Sequence, residues 1–234
     1  MRRSNFRFYI HSRASHDTSI ETRHTAFAAR MMKLPPPLGW KGLNVPPAPD
    51  CGDELGASFE IVYAIPGLEL DGRYIYRGET YKYEDEAFYD DKVWISFAPK
   101  SAEIDYRSML HEHFPGVVVA FEGYAAHGYF GGYVVNFEDL HAAELQKLQD
   151  RPDIDVNGRN NIFTLNVVQY WDAELCQRAL GYGRDEVIKR LSGKVPLVRP
   201  LMDGVYVVFN DNPDLTFEEF CAYNDRLKPV LGLQ

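Results

Sequence analysis

Two periods of apolar residues alternate along this 234-residue chain. Phe6, Phe8 and Ile10 alternate with polar neighbours, which predicts a β-strand with one buried face over residues 5–11. From Ile20 the apolar side chains recur every three or four residues, which predicts an amphipathic helix. This helix must end before Pro35, because proline cannot continue a helix. The chain therefore opens with a strand and a helix, followed by a Pro- and Gly-rich connection over 34–51.

The remaining pattern predicts more strands, again mixed with helices. Residues 58–65 and 92–97 are predicted strands, and Asp71-Gly72 within 70–83 predicts a hairpin turn. Two units of the order β-α-β-β-α follow. The first comprises strand 93–97, helix 102–113, strands 117–121 and 129–136, and helix 137–148. The second comprises strand 162–170, helical segments 172–180 and 185–191, strands 195–198 and 205–210, and helix 216–227.

This order predicts an α+β fold, in which two ferredoxin-like βαββα units form a mostly antiparallel sheet with helices packed on one face. The passages 131–145 and 203–220 can be aligned with a short insertion. That likeness is explained equally well by an internal duplication and by convergent strand-turn-helix chemistry. Three segments are expected: 1–57 with the first strand, the helix and the connection, 58–150 with the first unit, and 151–234 with the second. They are either separate or parts of one continuous domain.

Charge and composition narrow the classes of function. Hydrophobic residues make up 45% of the chain, enough for an ordinary packed core. The formal charge of −9 disfavours nucleic acids and anionic membranes as partners. The basic N-terminus lacks an apolar run of signal-peptide length, and three widely spaced cysteines suit reduced thiols. We therefore expect a cytoplasmic protein.

Residues 79–91, ETYKYEDEAFYDD, are the most informative segment. Six carboxylates stand beside one lysine, with four aromatic residues among them. Carboxylates attract a basic partner and aromatic rings supply contact area, so the segment is predicted to bind a basic protein. Two tyrosines from the Gly- and Tyr-rich stretch 123–133 are predicted to extend this binding surface. The complete set of predicted partner-binding residues is Glu79, Tyr81, Tyr83, Glu84, Asp85, Glu86, Tyr89, Asp90, Asp91, Tyr124 and Tyr129. The alternatives are an acidic loop folded over the sheet edge and a hairpin whose rings pack on the sheet.

Other candidate chemistry is weaker. Residues 153–158 begin like a calcium-binding EF-hand loop, but position twelve would be Thr164 instead of glutamate. His111 and His113 are two residues apart at a predicted helix end, where they point to different sides. Neither a nucleophile motif nor a nucleotide-binding glycine loop is present. The sequence therefore predicts no catalytic residue, no metal site and no cofactor.

Two passages, 79–91 and DGVYVVFNDNPDLTFEEFCAYNDRLKP at 203–229, resemble those of immunity proteins of bacterial polymorphic toxin and type VI secretion systems. The resemblance implies a cytoplasmic, non-enzymatic protein that binds and neutralises a cognate basic toxin, often by covering its active site. One alternative is a small-ligand-binding protein or enzyme on a ferredoxin-like scaffold, with a pocket among His111, Glu122, His127 and nearby tyrosines. Another is a structural subunit of a homo-oligomer, and the oligomeric state stays open.

Overall fold

Eight strands form one antiparallel sheet in the computed structural model, which describes residues 5–52 and 54–233. The strands are β1 (Phe6–Arg13), β2 (Gly56–Val62), β3 (Glu69–Ile75), β4 (Asp90–Phe97), β5 (Ala125–Phe130), β6 (Val168–Trp171), β7 (Leu197–Leu201) and β8 (Gly204–Val208). The helices are α1 (Ile20–Met31), α2 (Tyr106–Ser108), α3 (Phe114–Phe121), α4 (Tyr133–Leu140), α5 (Ala142–Gln149), α6 (Ala173–Leu180), α7 (Arg184–Leu191) and α8 (Phe217–Leu231). The predicted α+β class and the mostly antiparallel sheet are confirmed.

The first strand lies in the middle of the sheet, whose order is β2-β3-β4-β1-β5-β6-β8-β7. Phe6, Phe8 and Ile10 are fully buried on its inner face, as their alternation predicts. Helix α1 begins where the sequence places it, with the Ser19 hydroxyl accepting a hydrogen bond from the Thr22 amide at 3.1 Å. All three segments expected from the sequence contribute strands to the same sheet.

The connection over 34–51 packs against the core through Trp40, which is fully buried. Its indole Nε1 donates to the Tyr63 hydroxyl at 3.0 Å, and its ring centroid lies 4.9 Å from that of Phe27. The Pro- and Gly-rich stretch thus has no regular structure but is fixed by a large apolar anchor.

Helices cover both faces of the sheet in its C-terminal half, so the expectation of helices on one face is wrong there. Strands β6 and β8 are buried at every position. The Tyr206 hydroxyl donates to the Leu110 carbonyl, in the π-helical turn between α2 and α3, while Phe209, on the other face, stacks on Tyr223 of α8. Strands β1 to β4 instead alternate buried and accessible residues, which leaves one face open.

The first βαββα unit is also wrong in detail. The predicted strand 117–121 belongs to α3, which continues from α2 through a π-helical turn at Met109–His113. Val117, Val118 and Ala120 are buried between elements, and a helix that is apolar all round looks like a buried strand in sequence. The predicted strand 129–136 ends at Phe130, and helix α4 follows after Gly132, whose φ is +88°. The second unit has the predicted order.

The predicted hairpin turn at Asp71-Gly72 lies instead inside β3. Gly72 pairs with Phe59 of β2, and a Cβ atom at Gly72 would lie 2.2 Å from the Phe59 ring. The glycine therefore makes room for a ring packed across the strands, a known use of glycine within sheets. The actual turn falls between Val62 and Glu69.

Candidate partner-binding surface

The acidic-aromatic segment, residues 79–91, connects β3 to β4 and divides into an exposed part and a buried end. Two short 3₁₀ turns, Glu79–Tyr81 and Ala87–Tyr89, shape the exposed part. Tyr81 and Tyr89 are half-buried, and Tyr83 is 83% exposed. The predicted residues with exposed side chains are Glu79, Tyr83, Glu84, Asp85 and Glu86.

Asp90 is fully buried, which corrects its prediction as a contact residue. Its Oδ1 accepts hydrogen bonds from Nε and Nη2 of Arg159 at 3.0 and 2.6 Å. Its Oδ2 accepts from the Tyr124 hydroxyl at 2.6 Å and lies 3.5 Å from His11 Nδ1. Burial raises the pKa of Tyr124, so the hydroxyl stays protonated and donates. Tyr124 is buried as well, and the same correction applies to it.

Asp91 is likewise fully buried, so its prediction as a contact residue is wrong. Arg77 donates to it through both terminal nitrogens, at 2.9 and 2.6 Å, in the bidentate geometry that favours arginine-carboxylate pairs. The backbone amide of Ile75 donates to the same carboxylate at 3.0 Å. This aspartate therefore closes the loop between β3 and β4, and a partner cannot reach it.

Arg159 also holds the exposed part of the segment. Its Nη1 donates to the Glu84 carbonyl at 3.0 Å and lies 3.3 Å from Asp85, which Arg178 contacts at 2.8 Å. The Asp155 carboxylate accepts from the amides of Ala87 and Arg159 at 2.8 and 2.7 Å. Asp155 thus accepts hydrogen bonds from two backbone amides. The stretch 153–158, which begins like a calcium loop, is a turn that holds the acidic-aromatic segment in place.

Two carboxylates of the segment are left available. The side chains of Glu84 and Glu86 are exposed and form no ion pair with any residue in 5–52 or 54–233. Beside them, Tyr89 stacks on Tyr81 and lies edge-on to Phe88, with ring centroids 5.2 and 5.1 Å apart. Phe88 is itself 56% exposed. The arrangement combines two carboxylates that lack an ion-pair partner in the described residues with accessible rings, on a backbone held by the buried Arg159.

Tyr129 lies apart from this segment, on the open face of the sheet. It belongs to β5 instead of a recognition loop, and its ring stacks on Tyr9 and His127, each with centroids 5.9 Å away. Trp94 continues the row by stacking on Tyr9 at 6.0 Å. Burial lowers the pKa of His127 to about 3, so this imidazole is neutral at physiological pH.

The alternative pocket among His111, Glu122 and His127 is not formed, because each side chain has its own surroundings. His111 Nε2 lies 3.1 Å from Asp211, and Glu122 pairs with Arg23 and Arg30. His127 lies in the aromatic row on the sheet. Within 5–52 and 54–233, no three or more His, Cys, Asp or Glu side chains are placed to hold a metal ion.

The sequence gives no signal for the roles of Arg77 and Arg159. Arg159 stands alone in a polar stretch, 69 positions from Asp90 in the chain. Buried carboxylates need a cationic partner, but only the fold shows which side chain supplies it.

Comparisons with known proteins give a likeness of fold. No family model matches the chain, and no curated protein matches it. Among solved structures, the chain is similar to the Pseudomonas aeruginosa T6SS protein PA0821, with a TM-score of 0.54 and 14% sequence identity. The likeness covers 97% of this chain and 74% of that chain. At this identity it shows that the two proteins share a fold. In the residues that the structure describes, no helix has the length and apolar character to cross a membrane.

Proposed function

We propose that this chain is an immunity protein of a type VI secretion system (T6SS), which binds a basic cognate toxin and neutralises it by covering its active site. The observation that carries the proposal is the fixed, exposed part of the acidic-aromatic segment, in which Glu84 and Glu86 form no ion pair with a described residue and lie beside accessible rings. The similarity of fold to a T6SS protein supports the same system. Such a role acts by occlusion and uses no catalytic group.

Electrostatics favours this kind of partner. The chain carries a net charge of −9, and opposite charge on a toxin raises the rate of association by steering the encounter. A toxin that acts on a phosphate-bearing substrate has a basic cleft, and a fixed row of carboxylates competes for it. Because Arg159 and Asp155 already order the segment, less conformational entropy is lost on binding.

The test is association with the toxin encoded beside this chain. Substituting Glu84→Lys and Glu86→Lys together should slow association at least tenfold at low salt and abolish protection of cells that express the toxin. The effect should shrink as salt screens the charges. Stopped-flow kinetics over a range of salt concentrations measures the rate.

A matched control separates local from overall charge. Glu60 and Glu69 are exposed on β2 and β3, and their substitution to lysine changes the net charge by the same amount. This control should associate almost as fast as the unaltered protein. Equal slowing by both double variants would show that only overall charge matters, and unchanged binding by the Glu84/Glu86 variant would exclude the segment as the interface.

A further inference from the structure

A small cavity lies on the face of the sheet that carries Tyr129, between strands β5 and β6 and the stretch 157–166. Its volume is about 190 Å³. Pockets for drug-sized molecules measure roughly 300–1,000 Å³, so this one suits a group the size of a side-chain terminus. The lining residues used below are His127, Tyr129, Glu138, Asn161, Asn166 and Trp171.

Two asparagines that line the cavity have a buried amide oxygen without a hydrogen-bond partner in the described part of the chain. Asn166 is only 3% exposed, and its buried Oδ1 has no partner among residues 5–52 and 54–233. The Oδ1 atom of Asn161 is in the same condition. Nearby Gln169 directs its Nε2 to the Thr164 carbonyl at 3.3 Å, and it makes no hydrogen bond to Asn166 Oδ1. A buried acceptor without a donor costs about 1–3 kcal/mol, so a donor that reaches either oxygen from the cavity would be stabilised.

Charge in the lining points the same way. Glu138 is half-buried, and among the described residues its carboxylate accepts a single long hydrogen bond, 3.4 Å, from Asn157. Burial raises the pKa of Glu138, which shows that its charge is poorly solvated. No lysine or arginine is among the described residues that line the cavity. A cation would therefore gain the Glu138 carboxylate and the amide oxygens of Asn161 and Asn166.

The aromatic side chains that line the cavity favour a guanidinium group over an ammonium group. Tyr129, His127 and Trp171 line the cavity, and the imidazole of His127 is neutral. A guanidinium group is planar, carries five N–H donors and stacks on aromatic faces, whereas an ammonium is compact and strongly hydrated.

From these contacts we infer that the cavity binds a guanidinium group. The source is either an arginine side chain of the toxin, which rests on the proposed function, or a free guanidine compound, which does not.

The experiment is calorimetric titration with N-acetyl-L-argininamide, compared with N-acetyl-L-citrullinamide. The second compound has the same shape but a neutral urea group. We expect saturable binding of the arginine compound, with the citrulline compound at least tenfold weaker. Absence of saturable binding, or equal binding of both compounds, would overturn the inference.

Variants locate the binding. Glu138→Gln should weaken binding at least tenfold, while Glu144→Gln, on the exposed surface of α5, should leave it unchanged. Asn161→Ala should weaken it several-fold and still fold, because that side chain makes no hydrogen bond to a described residue. A urea melt confirms that each variant is folded. Binding that both cavity variants retain at full strength would place the guanidinium elsewhere and refute the site.

The toxin complex distinguishes the two sources. If a toxin arginine fills the cavity, the preformed complex no longer binds N-acetyl-L-argininamide, and Glu138→Gln also weakens toxin binding. If the complex still binds the compound, the cavity serves a free ligand. If this chain binds no toxin, the proposed function fails. The titration of the free protein still shows whether the cavity binds a guanidinium group.

Discussion

The acidic-aromatic segment contains carboxylates in two opposite environments. Glu84 and Glu86 are exposed and unpaired within the described chain, whereas Asp90 and Asp91, a few positions later, are 0% exposed and paired with arginines. The amino-acid composition does not distinguish these four carboxylates. The difference shows that an acidic run need not form one surface: part of it is exposed to solvent, and the other part is buried and fixes the loop that carries the exposed part.

The boundary between the two parts is the first residue of β4. Asp90 is already in register with Arg13 of β1, so it enters the sheet beside its central strand. A carboxylate in that position is stable only with a cationic partner, and Arg159 provides one from a distant turn. Glu84 and Glu86 precede the strand, and their side chains are exposed.

Removing the buried Asp90 carboxylate should have the largest effect on stability. Asp90→Ala leaves the guanidinium of Arg159 without its main partner in a buried site, so we expect a loss of about 3 to 5 kcal/mol in the free energy of unfolding. Urea denaturation followed by circular dichroism measures it. Glu86→Ala, in the exposed part, is the matched control and should change stability by less than about 0.5 kcal/mol.

A double variant sharpens this test. Asp90→Ala combined with Arg159→Met removes both charges, so it should lose less stability than the sum of the two single variants. Strict additivity would mean that the two side chains do not interact, and the contrast between the buried and exposed parts of the segment would lose its explanation.

Much of the fold could be predicted from periodicity. Strands β1 and β4 and helices α1, α6, α7 and α8 lie close to their predicted positions, because each buries one face and exposes the other. Prediction fails where both faces are buried or where packing overrides local chemistry. Helix α3 is apolar all round, and Gly72 serves the Phe59 ring instead of a turn.

The candidate surface could also be predicted only where the local sequence pattern determines exposure. Exposed residues such as Tyr83 and Glu84 follow from a run too acidic to be core. The burial of Asp90 and Tyr124 depends on contacts between residues far apart in the chain, which no local pattern encodes. The cavity beside Asn166 is of the same kind, since its lining comes from five separate stretches of the chain.

An intermediate loss of stability is expected on changing Tyr124, which contacts the buried Asp90 carboxylate but carries no charge. Tyr124→Phe removes the hydrogen bond from its hydroxyl to Asp90, and hydrogen bonds to charged groups contribute about 1.5–3 kcal/mol. Arg159 still pairs with Asp90, so we expect a loss of about 1 to 2 kcal/mol by urea denaturation. Tyr83→Phe is the control and should change nothing measurable, since Tyr83 is 83% exposed. Equal losses for both variants would contradict the assigned role of Tyr124.

The smallest effect belongs to Asp85, which lies between the two environments: it is exposed yet contacts Arg178 and Arg159. Exposed ion pairs contribute about 0.2–1 kcal/mol, so Asp85→Asn should cost no more than this at neutral pH and less at high salt. The hydrogen bond from Arg178 lowers the pKa of Asp85 below its ordinary value of about 4. The carboxylate therefore stabilises the folded state above that ordinary value, and its contribution disappears as the pH falls through the lowered pKa. Unfolding free energies of Asp85→Asn and the unaltered protein should accordingly differ at pH 7 and converge in acid. A gap that persists in acid would mean that Asp85 acts through its shape, as a buried residue does, and would move the boundary of the exposed part back by several residues.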